Sequence, residues 1–117
     1  KNLGYDIYFI KDFPLETKPF YAMPSGKYAR AFDLEIRGME IASGAQRIHD
    51  YKLLTKRMKD LNMNIENFKD YLKAFLYGMP PHGGFGYGIE RFLMAFLKLK
   101  NIRECILFPR DRYRLTP

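Results

Sequence analysis

Glycine occupies every second position from Gly84 to Gly88, and this run leads directly into an apolar stretch at residues 89–97. Glycine at alternate strand positions leaves one face of a sheet without side chains, so a flat ring such as adenine, or a sugar, can lie close to the backbone. Arg91 falls in the first turn of the predicted helix, where a guanidinium can hold a phosphate through two hydrogen bonds. The segment therefore predicts a strand, a helix and a nucleotide site; the alternative is close strand-to-helix packing that needs small residues.

Two familiar nucleotide-binding motifs are excluded for this segment. The dinucleotide fingerprint needs a G-x-G-x-x-G turn that opens a helix and an acidic residue about 20 positions later. The P-loop needs a Gly-Lys-Ser/Thr sequence after its glycines, and the chain does not contain one. The nucleotide hypothesis therefore depends on the flat glycine strand and on Arg91.

Hydrophobic periodicity predicts an α+β fold, with an antiparallel sheet flanked by helices. Prolines make residues 12–27 an extended or looped segment. Strands are expected at residues 4–10, 29–37, 39–42 and 105–109, and the second of these alternates polar and apolar side chains, giving it one polar face. Helices are expected at residues 51–61, 65–76 and 89–97, with Asp50 and Asn64 as N-caps of the first two. The third helix is apolar almost all round, which predicts that it is buried.

Net charge and cysteine content narrow the classes of partner. The 117 residues carry 20 Lys and Arg against 13 Asp and Glu, a net charge of +7, which favours an anionic partner over a neutral one, although a plain basic surface is the alternative. A single cysteine, Cys105, excludes an internal disulfide, and its apolar surroundings predict a small core residue in a strand. His49 and His82 lie in separate segments without cysteine partners, which disfavours a zinc site. No run reaches the ~18 apolar residues of a membrane span, so no membrane partner is expected.

A second polar cluster follows the predicted strands around residue 40. Carboxylates with a hydroxyl suit Mg²⁺, and an arginine on the same strip can bind a carboxylate substrate. Strict alternation puts Glu40 and Ser43 on opposite faces, so a shared cation requires a bulge or turn between them, and Gly44 is consistent with an irregular strand end. The alternative is a polar sheet face with ordinary ion pairs. The cluster comprises Asp33, Glu40, Ser43, Gln46, Arg47 and His49.

Several segments together resemble the C-terminal part of class II aspartyl-tRNA synthetases of the archaeal and eukaryotic type. The resemblance covers essentially the whole chain. The glycine strand with Glu90 and Arg91 is similar to class II motif 3, which binds ATP. The segments that carry the resemblance are residues 37–50 (RGMEIASGAQRIHD), 80–91 (PPHGGFGYGIER), 101–111 (NIRECILFPRD), 12–15 (DFPL) and 18–23 (KPFYAM).

The resemblance implies a fold, a reaction and roles for individual residues. The fold is the antiparallel sheet of the class II catalytic core, and the reaction joins aspartate to ATP before transfer to tRNA in protein biosynthesis. ATP and Mg²⁺ are the implied ligands, with aspartate and tRNA as further partners, a homodimeric parent and a cytoplasmic location. Glu40 and Arg91 are the implied catalytic residues. The implied ligand sets are Glu40, Gly86, Gly88 and Arg91 for ATP, Arg47 for the substrate aspartate, and Asp33, Glu40 and Ser43 for the metal.

The same resemblance is incomplete. Motif 1, motif 2 and the anticodon-binding domain have no counterpart in residues 1–117, and the chain begins at Lys1 instead of Met. We therefore expect a partial catalytic domain that contains motif 3 and does not activate aspartate by itself. The alternatives are a synthetase paralogue that makes asparagine from aspartyl-adenylate, a non-catalytic binding module with the same fold, and a generic basic nucleic-acid-binding domain.

Overall fold

The computed structural model describes residues 6–116. Its main feature is a four-stranded antiparallel sheet in the order β1-β4-β5-β6. A two-stranded antiparallel sheet pairs β2 with β3, with Pro24 opposite Ala29. The strands are β1 (Ile7–Lys11), β2 (Pro24–Ser25), β3 (Tyr28–Ala29), β4 (Ala31–Ile36), β5 (Met39–Arg47) and β6 (His82–Tyr87).

Three α-helices and three 3₁₀ segments complete the fold of residues 6–116. The helices are α1 (Tyr51–Asp60), α2 (Lys69–Leu76) and α3 (Ile89–Leu97), and the 3₁₀ segments are Leu15–Thr17, Ile65–Phe68 and Ile102–Cys105. Asp50 caps α1, since its carboxylate accepts a hydrogen bond from the Leu53 amide at 2.7 Å. Asn64 caps the 3₁₀ segment before α2 in the same way, with the Glu66 amide as donor at 3.0 Å. Measured against the length and apolarity that a bilayer crossing requires, none of the helices in residues 6–116 qualifies.

The chain forms two compact units. In the described residues, the first contains residues 6–9, Asp33–Ser43 and residues 86–116, and the second contains Ile10–Phe32 and Gly44–Phe85. The core of the second unit is formed by apolar side chains of α1, of α2 and of the residue that follows β5, namely Ile48, Leu54, Met58, Leu72 and Phe75. In the first unit the buried apolar residues are Ile41, Ala42 and Ala95.

The β4–β5 hairpin contains one extra residue on β5. Arg37 and Gly38 both have positive φ angles, 53° and 76°, as the two central residues of a type I′ turn do. Counted from this two-residue turn along a regular ladder, Asp33 would share a face with Ala42. Its side chain is instead hydrogen-bonded to that of Ser43. β5 therefore carries a bulge between the turn and Ser43.

The predicted α+β class is confirmed, and so are the two capped helix starts. The strand expected at residues 39–42 is longer than predicted, because β5 continues through Gly44 to Arg47. Gly44 therefore does not end the strand, and the irregularity lies before it. The helix expected at residues 65–76 is a 3₁₀ segment followed by α2. The first strand was expected from residue 4, and residues 4 and 5 lie outside the described residues.

Two other expectations are wrong. Residues 106–109 form no strand, and Cys105 ends a 3₁₀ segment with a partly exposed side chain, because this apolar run has no strand beside it in residues 6–116. Helix α3 is not buried: only Ala95 is, whereas Phe96 and Leu97 are 69% and 56% exposed. The described residues cover one side of this helix and leave the rest of its apolar surface open. On the predicted polar face of β4, Asp33 is buried, with only 7% of its surface exposed.

Candidate functional site

A buried carboxylate and a hydroxyl meet across the β4–β5 hairpin. The Ser43 hydroxyl donates a hydrogen bond of 2.5 Å to the carboxylate of Asp33. A buried carboxylate needs such a partner, because desolvation of a charge without one is strongly unfavourable. The bulge in β5 is what allows these two short side chains to lie on the same face. The structure therefore brings together two of the three residues predicted to hold a metal.

Glu40 and Arg91 form a second pair, between β5 and the first turn of α3. The Arg91 Nη1 atom donates to the Glu40 backbone carbonyl at 3.0 Å and lies 3.6 Å from a Glu40 carboxylate oxygen. Both side chains are about half exposed, at 51% and 46%. Such exposed pairs contribute little to stability, so neither charge is committed to holding the fold. The structure thus places the two predicted catalytic residues beside each other.

Gly86 in β6 and Gly88 at the start of α3 differ in what surrounds them. A Cβ atom at Gly86 would have nothing within 4 Å, so one side of the strand is open there. A Cβ atom at Gly88 would lie 3.4 Å from the Cβ and Cδ atoms of Arg91, and the Gly88 amide donates to the Ile41 carbonyl at 2.8 Å. Gly88 therefore leaves room for the Arg91 stem, and Gly86 leaves a bare patch of backbone.

The donor set of the first unit suits a hard cation. Asp33, Glu40 and Ser43 offer carboxylate and hydroxyl oxygens, which Mg²⁺ prefers, and Mg²⁺ takes only one or two carboxylates from a protein. The bulge in β5 brings Ser43 to the face of Asp33, and the carboxylate of Glu40 lies beside Arg91. In residues 6–116 no three side chains among His, Cys, Asp and Glu are grouped as metal ligands. The geometry thus gives two carboxylates and a hydroxyl in two pairs, Asp33 with Ser43 and Glu40 with Arg91.

Arg47 belongs to the second unit and contacts an aromatic ring. Its guanidinium carbon lies 4.7 Å from the centre of the Tyr21 ring, within the range of a cation–π interaction. A Cβ atom at Gly84 would lie 3.5 Å from Arg47 Nη2, so the glycine at position 84 leaves space for the guanidinium. In the part of the chain that the structure describes, no carboxylate forms an ion pair with Arg47.

Tyr71 is the other group close to this arginine. Burial raises the pKa of the Tyr71 hydroxyl above its ordinary value, and the positive charge of Arg47 lowers it by a smaller amount. Tyr71 therefore stays neutral at physiological pH and does not compensate the charge of Arg47. A half-buried guanidinium whose charge has no partner in the described residues is suited to an anionic ligand.

The structure also gives the surroundings of Gln46 and His49, two further residues of the predicted cluster. The Gln46 side-chain oxygen accepts a hydrogen bond from Arg30 Nη1 at 3.0 Å, within the second unit. The Nδ1 atom of His49 is buried and has no hydrogen-bond partner among the described residues. Gln46 is thus paired with Arg30, and a role of Gln46 or His49 in the site stays a prediction.

Tyr21 was not among the predicted site residues. It lies in the segment predicted as extended or looped, and its ring meets Arg47 only because residues 21–23 run beside the end of β5. Its presence in the KPFYAM segment was a signal of resemblance, but nothing in the residue pattern assigned it a contact. A pairing between segments 26 residues apart is not visible in local periodicity.

The sequence and structure match one family closely. The model of the family described as tRNA synthetases class II (D, K and N) matches residues 1–112. The aspartate–tRNA(Asp) ligase of Pyrococcus furiosus is 56% identical over 120 residues, which cover 100% of this chain and 27% of that protein.

Solved structures agree with the sequence match. An aspartyl-tRNA synthetase from Entamoeba histolytica superposes with a TM-score of 0.91 and 44% identity over 97% of this chain and 24% of that one. An asparaginyl-tRNA synthetase from Pyrococcus horikoshii gives a TM-score of 0.86 and 36% identity over 95% of this chain and 28% of that one. The chain spans about a quarter of the length of these relatives. With nearly every residue inside the family match, the chain belongs to the class II tRNA synthetases of the D, K and N group.

Proposed function

We propose that this chain is part of an aspartate–tRNA ligase. The reaction has two steps. The α-carboxylate of aspartate attacks the α-phosphorus of ATP and pyrophosphate leaves, giving aspartyl-adenylate; the aspartyl group then moves to the 3′ end of its tRNA. The substrate carboxylate is itself the nucleophile, so no cysteine or serine nucleophile is needed.

The proposal rests on the surroundings of the Arg47 guanidinium. Its guanidinium lies against Tyr21 and beside Gly84 and has no carboxylate partner in residues 6–116. The side-chain carboxylate of aspartate is a fitting partner, because a planar guanidinium and a carboxylate form two parallel hydrogen bonds. Asparagine has a neutral amide at that position and gains less from a positive charge, so Arg47 favours aspartate.

The first unit supplies the residues for ATP. Arg91 is exposed enough to reach an anion and is held by a weak pair with Glu40, so we assign it to the γ-phosphate. The bare backbone at Gly86, followed by Gly88, suits the flat adenosine. Positive charge aimed at phosphate oxygens stabilises the charge that develops during adenylate formation.

Asp33, Glu40 and Ser43 would hold Mg²⁺. Their oxygen atoms match its preference, and the bulge in β5 lets Ser43 and Asp33 share a face. When bound, Mg²⁺ supplies positive charge that disperses the charge of the phosphates. In this assignment Ser43 keeps the buried Asp33 oxygen oriented, and Glu40 contributes a carboxylate that its exposed pair with Arg91 leaves accessible.

The position of this chain within the enzyme follows from the same assignment. We place residues 1–117 in the C-terminal portion of the catalytic domain, with motif 3 inside it. The match covers 27% of the relative's length, and we assign motif 1, motif 2 and the anticodon-binding domain to the part outside it. A homodimeric, cytoplasmic parent enzyme that binds tRNA is part of the proposal.

Asparagine is the second candidate amino acid. The asparaginyl-tRNA synthetase from P. horikoshii shares the fold of this chain at 36% identity. The higher identities of 44% and 56% belong to the aspartyl enzymes, which supports aspartate as the substrate.

The test is amino-acid-dependent exchange of labelled pyrophosphate into ATP. The full-length protein that carries this chain is assayed with aspartate, asparagine and lysine, each at matched concentrations. We expect exchange with aspartate and at least about tenfold less with asparagine, because one missing charge pair is worth about 1.5–3 kcal/mol. Faster exchange with asparagine than with aspartate would refute the assignment of Arg47, and an absence of exchange with all three would refute the proposed function.

A further inference from the structure

The backbone next to Arg47 is fixed by residues 21–23. The Ile48 amide donates to the Tyr21 carbonyl at 2.8 Å, and the Met23 amide donates to the Gln46 carbonyl at 2.9 Å. An antiparallel bridge pairs Ala22 with Arg47 itself. Because these bonds flank Tyr21 and Arg47 on both segments, the two side chains start from backbones that cannot move independently.

The Tyr21 ring lies where it limits the orientation of the guanidinium. The Arg47 guanidinium carbon is 4.7 Å from the ring centre. The ring is braced in turn by Phe20, which meets it edge-on with centres 5.4 Å apart and an interplanar angle of 77°. A guanidinium held against an aromatic face keeps its N–H groups available for an acceptor. The ring attracts the cation through its π face and does not take up the N–H groups as hydrogen-bond donors.

Arg47 has four side-chain torsions and would otherwise lose much rotational freedom on binding an anion. Gly84 has no side chain and so does not restrict the rotation of the Arg47 side chain. Tyr71 stays neutral and therefore does not hold the guanidinium through an ion pair. In the described residues, Tyr21 is thus the group that both contacts the cation and is anchored to the same strand end.

We propose that Tyr21 is a positioning residue for aspartate recognition: its ring holds the Arg47 guanidinium in the orientation that binds the substrate's side-chain carboxylate. This inference rests on the proposed function, because it names what prepares Arg47 for that substrate. Pre-orientation lowers the ordering penalty of binding, so its loss acts on aspartate affinity. The affinity for ATP, assigned to Arg91, Gly86 and Gly88, is unaffected.

The test compares three variants of the full-length protein in the exchange assay. Tyr21→Leu removes the ring and is expected to raise the aspartate KM about tenfold, the effect of a cation–π contact of ordinary strength. Tyr21→Phe keeps the ring and is expected to stay within about twofold of the wild type. Tyr28→Leu is the matched control, because Tyr28 also lies near a cation, with Lys27 Nζ 5.3 Å from its ring, but does not contact Arg47. The ATP KM and kcat should change less than about twofold in all three.

A graded series keeps the inference testable if Tyr21→Leu does not fold. Fluorinated phenylalanines at position 21 weaken the negative face of the ring while nearly keeping its size, so the aspartate KM should rise step by step with fluorine content. An aspartate KM that is flat across this series, a Tyr21→Leu variant with the wild-type aspartate KM, or a Tyr21→Phe variant as impaired as Tyr21→Leu would each overturn the role of Tyr21.

These results separate the two proposals. A wild-type protein that exchanges pyrophosphate with aspartate, loses this activity in Arg47→Ala and ignores Tyr21→Leu would refute the positioning role alone. A wild-type protein without aspartate-dependent exchange would refute the proposed function and the positioning role together.

Discussion

Gly44 in β5 and Gly86 in β6 show how the same residue type serves two purposes. A Cβ atom at Gly44 would lie 2.6 Å from the Cβ of Phe85 and 2.7 Å from the ring of Phe32. Those distances are shorter than real carbon contacts, so the rings can pack only over a glycine. At Gly86 nothing lies within 4 Å, so packing does not demand glycine there. The proposed contact with adenosine explains why a glycine occupies the open position 86.

Alanine at the two positions should therefore have opposite effects. Gly44→Ala should lower the free energy of unfolding by about 1–3 kcal/mol, because the added methyl group overpacks two aromatic side chains. Gly86→Ala should leave the free energy of unfolding unchanged or slightly raised and should raise the KM for ATP. Urea denaturation gives the first quantity and pyrophosphate exchange the second. Equal stability of Gly44→Ala and wild type would contradict the packing assignment, and an unchanged ATP KM in Gly86→Ala would contradict the adenosine assignment.

The roles of single residues could be predicted from the sequence where the residue type, or a motif that contains the residue, indicates the role. Glu40 and Arg91 were assigned separately, and the structure places them together. The contact between Arg47 and Tyr21 was not predictable, because it depends on residues 21–23 pairing with the end of β5. No property of either residue alone encodes that pairing.

Among the elements, α1 depends on a single cap at its start. Asp50 accepts the Leu53 amide at 2.7 Å, and the helix then buries Leu54 and Met58 completely. A cap of this kind satisfies an amide that the helix itself leaves without a partner. The helix end has a different carboxylate, Asp60, which forms an exposed ion pair with Lys56 at 3.2 Å.

Removing these two carboxylates should separate capping from surface charge. Asp50→Ala should lower the free energy of unfolding by about 1 kcal/mol, the usual value of an N-cap aspartate. Asp60→Ala, the matched control, should lower it by no more than about 0.5 kcal/mol, because its ion pair is exposed. Thermal and urea unfolding measure both values, and two variants of equal stability would show that Asp50 does not act as a cap.

Helix starts were predictable because caps are local, whereas strands depend on their neighbours. The expected strand at residues 105–109 had the right composition but has no partner strand in the described residues. The bulge in β5 was anticipated only as a requirement for a shared cation. Its place before Ser43 follows from the turn at Arg37 and Gly38, whose geometry the sequence does not specify.

For the whole molecule, much apolar surface lies open. Ile7 and Phe9 on β1, Phe85 on β6 and Phe96 on α3 are each more than 60% exposed in this chain. Exposed apolar area of this extent is typical of surfaces that other parts of a protein cover. It agrees with a chain that spans about a quarter of its relatives' length.

We therefore predict that the 117 residues alone do not catalyse exchange. The proposed reaction also needs groups at the α-phosphate and over the aspartate, which we assign to parts of the enzyme outside residues 1–117. The measurement is aspartate-dependent exchange by the purified 117-residue chain, with circular dichroism to establish its secondary structure and the full-length protein as control. A rate equal to that of the full-length protein would contradict this division of the active site.

The fold class and family were predictable because resemblance extended over the whole chain and agreed with the periodicity. The exposure of α3 was not predictable. An apolar pattern indicates that other residues bury a helix, but it does not indicate which residues those are. Residues 6–116 leave Phe96 and Leu97 open for that reason.

The most direct measurement of the central claim is the aspartate KM of Arg47→Ala against that of Arg30→Ala in the full-length protein. Both changes remove one arginine of the second unit, but Arg30 is held by Gln46 and has no assigned substrate. Arg47→Ala should raise the aspartate KM at least about 30-fold, as expected when one partner of a charge pair worth about 2–5 kcal/mol is truncated. Arg30→Ala should stay within about twofold of the wild type. An aspartate KM that is unchanged in Arg47→Ala, or raised equally in both variants, would contradict the claim that this chain recognises aspartate through Arg47.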